Sequence, residues 1–406
     1  MRILVMHRVP DSFVHYARNI DHTRHDVTYV SAPDRLATLP ADVPARRLQR
    51  PGTGDATAEV LAAVAGLPRP DLLIALSEYD LLPAARVREA LGIPGPVERE
   101  VLPVRDKVVM KTAVAGAGLR VPRFSGLAAA LGDGASPVPW HGRTVLKPLA
   151  GASSEGISTF PTPAAALDAV RSGATPVPVD EYEIEEFVEG PIIHVDGLLA
   201  DGQFVVVQSS QYVGTCLGYA AEGRPLGSVQ ADTDSAVTDW ALRCLKAVGI
   251  EGGPFHLEAI NASDGLVFLE VGARVGGADV VNAFELATGV HMPSIEVQLL
   301  VGEMPATSLG RLPDPGQRYG WFVFPGHTLG TGSCRVSGTE PFRNDPIVHR
   351  WVQREPGEPI KRAITYADSD VPLAGIIGPG STDELERFLT VMFESVLVEP
   401  YAPADS

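Results

Sequence analysis

"FHLEAINASDGLVFLEVGARVGGADV" runs from Phe255 to Val280. Two stretches of alternating apolar and polar residues flank a turn around Asp264, which is the pattern of a β-hairpin. Alternation puts His256, Glu258 and Ile260 on one face of the first strand. It puts Leu266, Phe268, Glu270 and Gly272 on one face of the second. With the turn centred on Asp264, Glu258 and Glu270 are directly opposed, their Cβ atoms roughly 4.5–5.5 Å apart. Two carboxylates that close repel unless something positive lies between them. A divalent cation resolves the repulsion, and Mg2+ is bound by a few carboxylates together with substrate phosphates. The plainer reading of the same pattern is a pair of solvated acids on an exposed hairpin, and a slip of one residue separates the pair. Arg274 follows four residues after Glu270, where the strand gives way to glycines.

The composition narrows what such a hairpin can belong to. The chain has 406 residues, 45% hydrophobic and 20% charged, which suits two or three packed domains or subdomains. A net charge of −17 repels polyanions over most of the surface, so nucleic acid is not the expected partner. Three cysteines, Cys216, Cys244 and Cys334, are far apart and contain no C-x-x-C. They suggest neither a zinc site nor a disulfide framework, and buried free thiols are the expectation. The opening "MRILVMHRVP" lacks the long apolar core of a signal peptide. No apolar run approaches ~18 residues, so no membrane span is expected, and a cytoplasmic location is.

Ahead of the hairpin, "RILVM", "HDVTYVS" and "DLLIALSEYD" read as strands. "LLPAARVREALGIPG" reads as a helix stopped by Gly92 and Pro94. Strands alternating with helical segments predict a parallel α/β layer over the first hundred residues. "HRVPDS" after the first strand is not a Gly-rich dinucleotide turn. "VRDKVVMKTAVAGAGLRVPRF" predicts a helix ended near Gly118 and a strand after Pro122. "RTVLKPLAGASSEGISTF" predicts a strand, a Gly/Ser loop and a second strand. A hairpin is expected at Asp201-Gly202, and a helix over "DSAVTDWALRCLKAVGI". "VNAFELATGVHMPSIEVQLLVGE" is mostly helical, and the tail from about Pro305 is mixed in type.

Two further stretches carry chemistry. "LKPLAGASSEGIS" places Lys147 at a strand end, then Gly151, Ser153, Ser154 and Gly156. Small residues let backbone N–H groups approach phosphate oxygens, and the lysine adds a point charge. The loop lacks the G-K-[ST] of a Walker A motif, and an ordinary flexible turn has the same composition. "EIEEFVEG" offers Glu185, Glu186 and Val188 on a strand that could face a base edge, or simply end in acids.

Taken in order, Lys107 in "RDKVVMK", Lys147 in "VLKP", the Gly/Ser loop, "EEFVEG", the two hairpin carboxylates and Arg274 resemble the ATP-grasp superfamily. They are most similar to its carboxylate–amine ligases, which include L-amino-acid (dipeptide) ligases. The resemblance covers roughly Ser77 to Gly302. It implies an α/β ATP-grasp fold with a Rossmann-like N-terminal domain (1–103), a lid subdomain (104–183) and a large α+β catalytic domain with a C-terminal extension (184–406). It implies ATP as nucleotide, with Mg2+ or Mn2+, and a reaction that joins a carboxylate to an amine with release of ADP and phosphate. Lys107 and Lys147 match the nucleotide lysines. Ser153, Ser154 and Gly156 match the loop that closes over the γ-phosphate. Glu185, with the main chain of Glu186 and Val188, matches the adenine-edge strand. Glu258 and Glu270 match the metal-bridging acids, Arg274 the arginine that steadies the transferred phosphoryl group, and His256 lies beside them.

The chain departs from the family pattern at two places. Ile192 stands where a ribose-binding Glu is common, leaving His194 or Asp196 for that contact. Gly272 stands where Asn often follows the second metal ligand. The expected partners are small-molecule substrates, with no nucleic acid and no membrane; a homodimer is common for such ligases. Other acceptors such as bicarbonate or a hydroxy acid, a phosphotransferase, and a nucleotide-binding module without turnover are the alternatives. Trp321, His327 and Arg335 in the tail are candidate pocket residues and equally good structural ones.

Overall fold

The computed structural model describes residues 1–303 and 317–401, apart from 133, 135, 136 and 152. One residue of the expected Gly/Ser loop and part of the expected C-terminal extension lie outside the described residues.

The first sheet is parallel and contains β1 (Arg2–Met6), β2 (Asp26–Ser31), β3 (Arg46–Gln49) and β4 (Leu72–Ile74), in the order β3-β2-β1-β4. Residues 3–6 of β1 are buried without alternation, as a strand covered on both faces requires. β3, "RRLQ", is mostly exposed and is absent from the strands expected from sequence. "DLLIALSEYD" forms a strand only over Leu72–Ile74; Glu78–Asp80 is a 3-10 turn. The helix Leu81–Leu91 ends at Gly92, whose φ of 64° is left-handed, so the predicted stop is a glycine C-cap.

A second sheet, antiparallel, lies in the stretch expected to be the lid. It contains β5 (Phe124–Gly126), β6 (Thr144–Pro148), β7 (Ser158–Phe160) and β8 (Tyr182–Glu186), in the order β5-β8-β6-β7. The helix Lys107–Gly116 precedes it in the chain and is started by Asp106, whose carboxylate accepts from the N–H groups of Val108 and Val109. Its apolar side packs elsewhere. Met110 and Val114 join Phe255, Leu257, Phe268 and Val271 in the core of the large domain.

That domain is built on an eight-stranded antiparallel sheet. Its strands are β9 (Ile192–Ala200), β10 (Gln203–Val213), β11 (Leu226–Gln230), β12 (Gly253–Ala262), β13 (Gly265–Gly272), β14 (Arg318–Phe324), β16 (Val348–Gln353) and β17 (Leu373–Gly380). The order is β13-β12-β9-β10-β11-β14-β17-β16. β15 (Cys334–Ser337) pairs with β18 (Leu397–Pro400) beside it. The tail therefore supplies three strands of the main sheet. One face buries Val195, Leu257, Ala259 and Phe268 against the helix Ser235–Ala247. The other carries His194, Asp196, His256 and Glu258, all buried. The helix Met292–Val301 crosses back to the first sheet, where Val297 and Val301 pack against Ile3 and Val5. Among the described residues no helix is long and apolar enough to cross a membrane.

Candidate active site

The β12–β13 hairpin pairs Glu258 with Glu270, but not by the symmetry expected. Ala262 pairs with Gly265 and Ala259 with Phe268, so the turn is two residues and centres ahead of Asp264. A bulge at Leu269 then shifts the register by one and brings Glu270 opposite Glu258. The bulge also inverts the facing. Phe268 points into the core with Ala259, and does not share the face of Glu270 as simple alternation predicts.

Each carboxylate of the pair has one engaged oxygen. Tyr212 donates to Glu258 Oε1 at 2.7 Å and His256 Nε2 lies 3.3 Å from the same oxygen. Lys107 Nζ lies 3.2 Å from Glu270 Oε2 and donates to the Gly151 carbonyl at 2.8 Å. Glu258 Oε2 and Glu270 Oε1 have no hydrogen-bond partner among the described residues. Burial pushes the Glu270 carboxyl up, but Lys107, Lys147 and Arg274 outweigh it and hold the pKa at about 2. Glu270 is thus held anionic, and the pair keeps two oxygens to spare, a donor set that fits a hard divalent cation.

Both residues line a cavity of about 380 Å³ between the lid and the large sheet. Of the residues singled out in the sequence, Lys107, Lys147, Ser154, Glu185, Glu186 and Val188 line it too. The Val188 N–H has no partner among the described residues. Arg143 stacks over the Phe187 ring at 3.8 Å on the same wall. Cys216 lines the cavity as well, so one of the three free thiols is not a core residue. In the loop Ser153 and Ser154 adopt left-handed φ values of 60° and 55°, and Gly156 one of 72°. A Cβ at Gly156 would come 2.8 Å from Tyr182 Oη, so glycine is required there. The Tyr366 hydroxyl reaches the Ser153 carbonyl at 3.5 Å.

Arg274 lies behind this cavity, on a small hollow shared with Lys107, His256, Glu270, Arg105 and Glu78. Its Nε donates to Glu78, whose other oxygen accepts from Arg105. Arg105 also donates to the Ala150 carbonyl at 2.7 Å. Burial, then the neighbouring Arg274, brings the Arg105 pKa down to about 10. Glu78 is fixed by its turn, because Arg8 grips Asp80 through Nε at 2.9 Å and a terminal nitrogen at 2.8 Å. The glycine at 272 now has a reason. A Cβ there would lie 3.0 Å from Glu78 Oε2 and 3.3 Å from Arg274 Cγ, against the ion pair itself.

Sequence reasoning missed the buried groups that support these residues. Lys111, fully buried, donates to Glu183 Oε1 at 2.7 Å and to Glu185 Oε2. Lys147 Nζ lies 2.7 Å from Glu185 Oε1 and 3.7 Å from Glu183 Oε1. Burial pulls Lys147 down, yet Glu185, Glu183 and Glu270 hold it above the usual lysine range. Lys111 stands one helical turn after Lys107, a spacing that signals a shared side of the helix.

On the other side of the sheet-borne pair runs a hydrogen-bonded row. Asp196 accepts from His256 Nδ1 at 2.8 Å and from His194 Nδ1 at 2.5 Å, and His194 Nε2 meets Ser228 Oγ at 2.7 Å. Burial pulls the His256 pKa down, but Asp196 and Glu258 raise it to about 9; both ring nitrogens then donate. Asp196 itself is held below the usual carboxylate range, because His256 and His194 overcome its burial. The structure places His194 in this enclosed row and not on the large cavity, whereas Ile192 does line the cavity. A ribose contact from His194 is therefore not supported: the ring faces Asp196 and Ser228 because it sits on the inner face of β9. Trp321, His327 and Arg335 do not line the large cavity either.

No family model matches the chain. Dapdiamide A synthase of Enterobacter agglomerans is 28% identical over 151 residues, covering 34% of this chain and 35% of that protein. The L-arginine-specific L-amino acid ligase of Bacillus subtilis is 24% identical over 230 residues, covering 53% and 54%. The matched stretches thus span only 35% and 54% of the length of these relatives. The crystal structure of L-amino acid ligase from Bacillus licheniformis has a TM-score of 0.71 at 19% identity and covers 99% of this chain and 98% of that one. The fold is thus the mixed α/β architecture with a large sheet that this solved ligase has.

Proposed function

We propose that the chain is an ATP-dependent ligase that joins a carboxylate to an amine through an acyl phosphate, releasing ADP and phosphate. An amino acid is the proposed acid, and an amino acid or small amine the acceptor. The observation that carries this reading is the convergence of Lys107, Lys147, Glu258 and Glu270 on one cavity, with Arg274 directly behind it. Of the two relatives above one is an L-amino acid ligase by name and the other a synthase, and the similarity to them is consistent with this reading.

ATP is proposed to lie with its base against Phe187 and Val188, where the free Val188 N–H meets the ring edge. Lys107 and Lys147 neutralise the phosphates, and the Gly151–Gly156 loop covers them. Glu258 and Glu270 would hold the divalent cation, which supplies charge neutralisation at the β- and γ-phosphates when bound. The acid's oxygen attacks the γ-phosphorus, the bond to the ADP oxygen breaks, and an acyl phosphate forms. The amine then attacks the acyl carbon, phosphate leaves with the C–O bonding pair, and the amine loses a proton. Arg274, directly behind the cavity, is proposed to face the charge that shifts between phosphate and acid, so that its guanidinium counts most in the transition state. The intermediate hydrolyses in water, which is the reason for a covering loop.

The test is ADP release across a panel of amino-acid pairs, with product mass measured. Hydroxylamine in place of the amine should yield a hydroxamate along with ADP. AMP and pyrophosphate as the stoichiometric products would overturn the reading, since adenylation needs attack at the α-phosphorus.

A further inference from the structure

Lys111 cannot touch anything bound in the large cavity. It is fully buried, and does not line that cavity. What it does touch is the pair of carboxylates that also holds Lys147. Glu183 and Glu185 are two apart on β8, so both project to one face of the strand, and that face is dry: Glu183 is 0% exposed and Glu185 3%. Two buried carboxylates demand cationic partners. The structure gives them two, from different parts of the molecule. Lys147 comes from β6 of the lid, and Lys111 from a helix packed into the large domain.

The two lysines are not equivalent. Lys111 bonds both carboxylates. Lys147 is close to Glu185 alone, its distance to Glu183 being 3.7 Å. Glu183 Oε2, moreover, is buried with no partner, so it stands ready to take any donor nearby. If Lys111 were absent, Lys147 would be the sole cation for two desolvated charges and would be held back by both.

We propose that Lys111 is a positioning residue of the nucleotide site: by satisfying Glu183 and Glu185 from behind, it frees Lys147 to turn toward the phosphates. This rests on the reading of the large cavity as an ATP site. The helix then carries one lysine for each wall of the cavity. Lys107 faces Glu270 and the Gly151 carbonyl, and Lys111, one turn on, faces the lid strand. The same contact ties the lid to the large domain, so the lysine that prepares the phosphate site also fixes where the lid stands.

The experiment is calorimetric titration of ADP and of adenosine, separately, into the parent chain, Lys111→Met, Glu183→Gln and the double variant. Lys111→Met should bind ADP at least about tenfold more weakly, the loss expected for one charge-assisted bond, while adenosine changes less than about twofold. The charge-balanced double variant should recover ADP affinity to within about threefold of the parent. Glu183→Gln alone removes a competitor for Lys147, so it should bind ADP as tightly as the parent or tighter, and it keeps the question open to refutation should Lys111→Met fail to fold. Equal ADP affinity in Lys111→Met and parent overturns the proposal. So does a parallel loss of adenosine and ADP, a double variant that does not recover, or weaker ADP binding by Glu183→Gln. A parent chain that binds neither ADP nor adenosine sinks the ATP-site reading itself and this inference with it.

Discussion

Two pairs of carboxylates stand about one cavity, and their surroundings differ in one respect. Glu183 and Glu185 share a strand face and have two lysines of the protein's own, Lys111 and Lys147. Glu258 and Glu270 face one another across a hairpin and have one lysine, Lys107, with a tyrosine and a histidine to hydrogen-bond. The first pair is neutralised from within, although Glu185 also borders the cavity. The second keeps two carboxylate oxygens unengaged among the described residues, and Glu270 is a third exposed. A pair neutralised from within does structural and positioning work. A pair with oxygens unengaged and open to a cavity has a use for a cation from outside.

The most severe way to break that comparison is Glu270→Gln. It keeps the shape and removes the charge for which the second pair differs from the first. Turnover should fall by about 100-fold or more and the Mg2+ concentration needed for half activity should rise. Unchanged activity at limiting Mg2+ would mean that the open pair is as self-contained as the neutralised one. Arg274→Ala comes next. If, as proposed, its charge matters most as the phosphoryl group moves, the rate of the chemical step should drop by about 100-fold while ATP affinity changes less than about threefold. Equal losses in both would make Arg274 a binding residue only. Lys147→Ala sharpens the comparison from the other side. It should weaken ATP binding by about tenfold or more through one lost charge-assisted bond. Isothermal titration showing parental affinity would mean that Lys147 belongs wholly to the neutralised pair.

The open pair was legible in the sequence and the neutralised one was not. Glu258 and Glu270 announce themselves by alternation around a turn, although the turn is centred elsewhere and the bulge at Leu269 is what makes them meet. A bulge has no local signal beyond an apolar residue out of phase. Glu183 and Lys111 were present in or beside quoted motifs, "EIEEFVEG" and "RDKVVMK", but their contact joins residues 72 apart, and only the packing of the helix on β8 makes it. Glu78 likewise meets Arg274 across 196 residues. The tail hid three strands of the main sheet: residues 319–324 and 373–378 are buried throughout and residues 348–353 contain no buried residue, so no alternation marks any of them. The exposed "RRLQ" of β3 was hidden for the opposite reason: without an apolar face it looks like loop. Helix starts and stops, set by neighbouring residues such as Asp106, Asp234 and Gly92, were read with little error.

A fifth carboxylate, which belongs to no pair, extends the comparison to its limit, with the smallest expected effect. Glu296 lies on the helix Met292–Val301 that joins the large domain to the first sheet, and among the described residues it has no ion-pair or hydrogen-bond partner. Burial alone raises its pKa from 4.5 to about 8. The native state therefore holds this proton more tightly than the unfolded chain does. Between about pH 4.5 and pH 8 the folded protein has more protons bound than the unfolded one, so this group's contribution to stability declines as pH rises through that window and is level above it. Glu296 is partly exposed on its helix, and solvent screening keeps the effect modest. Glu296→Gln removes the titration with nearly no change of shape. The variant should melt with the parent near pH 5 and a few degrees above it at pH 8.5, where the parent must keep a buried charge with no cation. Melting curves in matched buffers at the two pH values are the measurement. A difference that is the same at both would show that Glu296 is not buried as an unpaired acid, and that the rule drawn from the two pairs does not reach this helix.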